Sequence, residues 1–100
     1  MRKVRFLPAA EAELLHETKY YSKARKGYGV RFNAAVKAAT ASAVRFPEGG
    51  APAPEDTRKY RVQGFPFNVV YRATNSEILV VAIAPDSKRP EYWLARVRVG

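Results

Sequence analysis

Residues 3–7, KVRFL, alternate: Val4 and Phe6 fall on one face, Lys3 and Arg5 on the other. That period of two predicts a half-buried strand. Pro8 then opens a new element at the first helical position, where a missing N–H costs a helix nothing. Ala10, Leu14, Thr18 and Tyr21 recur at helical spacing, and Gly27 stops the helix. Glu11 and Glu13 sit at its start and read as dipole partners, with Lys23, Arg25 and Lys26 as the matching cations at its end. Beyond the KGYG connection, Phe32, Val36, Ala39 and Ala43 repeat at the same spacing until Pro47. Alanine-rich faces allow close approach, so the two helices are expected to pack as an antiparallel hairpin.

PEGGAPAPED, residues 47–56, shows no periodicity and reads as a loop. Three strand patterns follow. In KYRVQ, Tyr60 and Val62 share one face, with Lys59, Arg61 and Gln63 on the other. In FNVVYRA, Phe67, Val69, Tyr71 and Ala73 point inward, and Asn68, Val70 and Arg72 outward. ILVVAIA, residues 78–84, is apolar throughout, as a central strand covered on both faces would be. Gly64-Phe65-Pro66 and Thr74-Asn75-Ser76-Glu77 are connections of hairpin length. The expected fold is α+β: an N-terminal strand, an antiparallel two-helix hairpin, then a three-stranded antiparallel meander, all in one domain spanning residues 1–100.

The chain has 18 Lys and Arg against 9 Asp and Glu, a formal charge of +9. A field of that sign attracts polyanions and acidic partners, although scattered surface lysines would produce the same sum. Residues 1–55 carry 10 basic and 5 acidic residues and residues 56–100 carry 8 and 4, so any binding face must be assembled by folding. With no cysteine, disulfides, thiolate metal sites and a cysteine nucleophile are excluded. The start lacks the apolar core of a signal peptide, and the longest apolar run, Ile78 to Ala84, is too short to span a bilayer. A cytoplasmic protein is expected, with no membrane contact.

Chemistry is sparse. His16 is the only histidine and reads as a surface residue of the first helix, since acid–base work needs a partner. No phosphate loop, serine-nucleophile motif or metal-ligand cluster is present, so neither metal nor cofactor is expected. What remains is cationic and aromatic: Arg58, Lys59 and Arg61 before the hairpin, Arg72 closing the next strand with Arg61 and Arg72 on the outward face, then Lys88, Arg89, Tyr92 and Trp93 in PDSKRPEYW. Guanidinium groups hold phosphates or carboxylates, and a tyrosine can stack or move a proton. For Arg61, Arg72 and Arg89, a solvated face and a binding face fit equally. Trp93 reads first as a core residue.

FLPAAEAELL, the YY at 20–21, GYGVRF, RFPEGG, FPFNVVYR, ILVVAIA and KRPEYW, in this order and spacing, resemble the RelE/ParE superfamily of bacterial toxins from type II toxin–antitoxin (plasmid stabilisation) modules. The resemblance implies a compact toxin inhibited by a small antitoxin, expected to be acidic and amphipathic. It also implies one of two activities. The RelE-like branch cuts messenger RNA in the ribosome with Lys and Arg plus a tail Tyr. Arg61 and Tyr92 match that set, and Lys88 or Arg89 and Arg72 are further candidates. Gln63 and Asn68, however, stand where that branch carries cations. Without them the obvious stabiliser of a phosphorane-like transition state is missing.

The ParE-like branch poisons DNA gyrase by binding it, and FPFNVVYR and RPEYW look more like that branch, although Pro85 replaces a frequent histidine. A protein-binding inhibitor, rather than an enzyme, is therefore expected. The alternatives are a ribosome-dependent endoribonuclease and a non-toxic basic nucleic-acid-binding module. The residues expected to meet the target or the antitoxin are Arg61, Arg72, Lys88, Arg89, Tyr92 and Trp93.

Overall fold

The computed structural model describes residues 2–98. The chain runs β1 (Lys3–Phe6), α1 (Pro8–Ala24), α2 (Tyr28–Arg45), β2 (Ala51–Ala53), β3 (Thr57–Arg61), β4 (Phe67–Ala73), β5 (Glu77–Pro85) and a closing 3-10 turn at Leu94–Arg96. Between the helices it reverses through Gly27, whose φ of 83° is left-handed and open to glycine without strain. The helices cross closely because position 29 has no side chain: a Cβ there would lie 2.8 Å from the Thr18 carbonyl oxygen. Phe32, Val36, Ala39 and Ala43 form the buried face of α2, as their spacing required.

One sheet takes all five strands in the order β1-β5-β4-β3-β2, with β1 parallel to β5 and every other pair antiparallel. The helix hairpin covers one face. Phe67, Val69, Val80 and Ile83 pack there against Ala10, Phe32 and Val36. Tyr21, Phe32, Phe65 and Phe67 extend this layer with ring centroids 5.0–5.1 Å apart in mostly edge-on pairs.

Three expectations need correction. The segment expected to be only a loop contains β2, which pairs Ala51 with Lys59 and Ala53 with Thr57. Three residues cannot show a period, and Pro52 is tolerated because β2 is an edge strand. The KYRVQ pattern shifts as well: β3 starts at Thr57 and ends at Arg61, and Val62 belongs to the tight connection, donating its N–H to the Phe67 carbonyl.

Finally, Val70 does not face water. It is 1% exposed and packs with Val81, Ala82, Trp93 and Val97, because the C-terminal segment folds back over the far face of the sheet. A register shift at Val70/Tyr71 skips Val81 in the ladder, and both Val81 and Ala82 join that second layer. β5 is thus covered on both sides, the condition its unbroken apolar run called for.

Candidate functional site

The C-terminal segment leaves part of the outer sheet face open as a concavity of about 230 Å3. Lys59 of β3, Asn68 and Val70 of β4 and Ala84 of β5 form its floor. Pro52 to Pro54 wall one side, and Pro85, Asp86 and the stretch from Lys88 to Trp93 the other. Register sets the floor: Lys59 lies opposite Val70, Arg61 opposite Asn68 and Asn68 opposite Ala84.

Both walls hold strained backbone. Among the described residues, those other than glycine with left-handed φ are Glu55, Asp56 and Glu91, each at 61°. Glu91 lines the groove, and Glu55 and Asp56 turn the hairpin beside Pro54. Each costs about 1–3 kcal/mol and persists only where its surroundings hold it. At the hairpin the restraints are visible. The Thr57 hydroxyl donates to the Pro54 carbonyl at 2.7 Å, and Arg72 donates from Nη2 to the Glu55 carbonyl.

That contact moves Arg72 away from its expected place. It was expected on the open face beside Arg61, but the tight 62–67 turn pairs Arg61 with Asn68, leaving Arg72 at the far end of β4. It is half-buried and serves the turn, with its Nε buried and unpartnered among the described residues. Arg72→Ala is therefore expected to lower stability by about 1–2 kcal/mol by freeing the Glu55 carbonyl. Arg89→Ala, at an exposed position, should leave the melting temperature unchanged. Parallel thermal melts of the two variants check this, and equal melting temperatures would return Arg72 to the solvated face.

Arg61 is held by Asp86 in a two-pronged pair of 2.8 and 2.7 Å. The contact raises the Arg61 pKa and lowers that of Asp86. Its charge is matched within the protein. Lys88 sits 5.1 Å from the Tyr92 ring centroid, and Lys88 and Arg89 line the groove with Lys59. None of these three enters an ion pair among the described residues. Trp93 is 3% exposed and belongs to the second core layer, so it closes the groove wall mainly as a packing residue. His16 is exposed on α1, outside the groove.

Tyr92 lines the groove, but its hydroxyl donates to Glu13 at 2.6 Å. Burial, then that hydrogen bond, pushes its pKa well above the ordinary phenol value, so the phenol keeps its proton. Glu13 was expected to be only a dipole partner at the helix start. It instead accepts from Arg96, Tyr92 and the Ile83 N–H. Burial opposes its charge, but those donors outweigh burial and hold its pKa below the usual range. A signal existed: Glu13 falls three residues after the buried Ala10, on the same stripe of α1. Lys59 carried a weak signal, as an outward neighbour of Arg61 in KYRVQ, whereas Arg96 carried none, since only folding gives it neighbours.

The groove can therefore bind an anionic group through Lys59, Lys88 and Arg89. It does not set up a proton-transfer pair: an amide, Asn68, sits mid-floor, Arg61 is neutralised and Tyr92 is tied to a carboxylate.

A family model described as ParE toxin of type II toxin-antitoxin system, parDE, matches residues 4–90. A chain in the solved structure of the chromosomal ParDE TA system from P. aeruginosa is similar with a TM-score of 0.69 at 18% identity, over 85% of this chain and 96% of that one. At that identity the likeness is one of fold. No curated protein sequence matches this chain.

Proposed function

Because the chain belongs to the ParE toxin family and is the toxin component of a type II toxin–antitoxin module, we propose that it acts in the cytoplasm as a protein-binding inhibitor of DNA gyrase. Its neutralising partner is a small antitoxin, acidic and amphipathic where it meets this chain. The observation that carries the reading is the state of the groove. An endoribonuclease needs a base or acid of suitable pKa and free cations at the reacting phosphate. Here the candidate shuttle, Tyr92, is hydrogen-bonded to Glu13, and Arg61 is paired with Asp86 at the exposed edge of the groove. A binding inhibitor needs none of these parts. It needs a held surface with unmatched charge, which Lys59, Lys88 and Arg89 provide between two strained walls. Among the described residues no helix is long and apolar enough to cross a membrane.

The test separates the two activities with one preparation. Purified toxin is added to a gyrase supercoiling reaction and to a reconstituted translation reaction. Supercoiling is expected to fail first, with ribosome-bound message left uncut. Lys59→Gln, Lys88→Gln and Arg89→Gln together should weaken the effect at unchanged melting temperature. Codon-specific cuts in the ribosomal A site that vanish on changing Arg61 or Tyr92 would overturn the proposal in favour of the nuclease.

A further inference from the structure

We infer that the tip of the helix hairpin is a second interaction surface, separate from the groove, whose partner is the phosphate backbone of duplex DNA. Residues 18–47 contain no Asp or Glu but carry Lys19, Lys23, Arg25, Lys26, Arg31, Lys37 and Arg45. Of 18 basic and 9 acidic residues, this stretch holds 7 and 0 and the rest of the chain 11 and 9, so 7 of the 9 net charges sit on it. Splitting the chain into halves hides this, because Glu11, Glu13, Glu17 and Glu48 lie just outside. All seven cations are exposed. None enters an ion pair among the described residues.

The density is greatest at the reversal. Lys23 lies in the last turn of α1, Arg25 and Lys26 in the connection, and Arg31 near the start of α2, with Lys19 one turn behind Lys23. Arg25 and Arg31 both sit over the Tyr28 ring, 4.9 and 5.4 Å from its centroid, so one aromatic face system holds two like charges near each other. The first turn of α2 adds no acid to offset them. Unmatched charge of one sign repels itself, and a polyanion relieves that cost.

The composition favours nucleic acid over protein. Lysine is depleted at protein interfaces, which use opposite charges for register and a buried apolar anchor for affinity. The tip offers seven cations and no acid, and its exposed apolar side chains, Tyr20 and Val30, stand singly, each beside a cation, Lys19 or Arg31. Phosphate contacts require no more than this, and they place the tip on DNA without reading sequence.

The experiment titrates the toxin into a fluorescein-labelled duplex of about 20 base pairs and follows anisotropy from about 50 to 200 mM NaCl. Micromolar binding is expected, with log K falling against log salt at a slope of about −4, one counterion for each tip cation. Changing Lys23, Arg25, Lys26 and Arg31 to Gln together should remove about 3–4 units of that slope. Exchanging Lys for Arg and Arg for Lys at the same positions keeps the charge and should keep the slope, which separates lost charge from lost fold. The groove variant carrying Gln at 59, 88 and 89 should bind DNA with the parent's slope, so the outcome is independent of the gyrase reading. The inference fails if the parent does not bind at 50 mM salt, or if the tip variant keeps the full slope. It also fails if the groove variant loses as much slope, or if the tip variant keeps DNA affinity and loses the antitoxin instead. That last result would make the tip a protein interface.

Discussion

Replacing Glu13 with alanine is expected to lower the free energy of unfolding by about 3 kcal/mol and to release the C-terminal segment from the sheet. β1 runs beside β5 only as far as Val80. Past that point side chains do the work of a strand. The Glu13 Oε1 accepts from the Ile83 N–H at 3.0 Å and from Arg96 Nη1 at 2.9 Å, and Oε2 accepts from Tyr92 at 2.6 Å and Arg96 Nη2 at 2.9 Å. Arg96 also donates to the Val81 carbonyl at 3.0 Å. Deleting the carboxylate strands a guanidinium, a phenol and a backbone N–H together. The side chains keep 22% and 19% of their surface in water, so the cost falls at the lower end of the range for buried pairs.

Trp93, the single tryptophan, reports the release directly, since it is 3% exposed in the second core layer. Its emission should move to the red in the variant before global unfolding. An unchanged denaturation midpoint with unshifted emission would show that the clasp holds nothing. The same group sets an acid limit. Glu13's pKa is lowered on folding, so its contribution is complete above its ordinary value of 4.5 and is lost as pH falls through the folded value. The stability gap between the parent and Glu13→Gln should therefore narrow below about pH 4.5, measured by melts across pH. A gap that stays constant into strong acid would mean the carboxylate's charge is not what holds Arg96.

The second large effect is expected at Tyr71. Tyr71→Ala should cost about 3–5 kcal/mol, a large part of the 5–15 kcal/mol that holds a domain together. The side chain is 0% exposed and lies against Ala43 and Ile78, with its ring stacked on Tyr60 at 5.7 Å. Its hydroxyl donates to the Pro47 carbonyl at 2.8 Å and accepts from the Gly50 N–H at 3.2 Å, so it also shapes the chain entering β2. Tyr71→Phe keeps the ring and leaves a buried N–H unpaired, at about 1–2 kcal/mol. The check is a pair of thermal melts: alanine far below phenylalanine, and phenylalanine below the parent. Equal losses in the two variants would assign the effect to the hydroxyl instead of to packing.

The periodic elements were legible because each answers to neighbours within a few residues. Helical spacing from Phe32 to Ala43 and the breakers Gly27 and Pro47 are local rules that the helices obey. KVRF and FNVVYRA form the strands their period predicted, although Val4 is 42% exposed on an edge strand, Ala73 is exposed and Val70 is buried. The unbroken apolar run of β5 even announced that both its faces would be covered. What sequence reading left open depended on residues far apart in the chain. β2 exists only because β3 offers an edge to pair with, and Val70 is buried only because Trp93 and Val97 return across the sheet. The groove's electrostatics were decided in the same way. Asp86 neutralises Arg61 across 25 positions, Glu13 captures Tyr92 and Arg96 across 79 and 83, and the hairpin register carries Arg72 off to the Glu55 turn. Sequence supplies the cations and aromatics of this toxin by type. Which of them remain unmatched, and so able to meet a partner, is a matter of distances that only the folded chain sets.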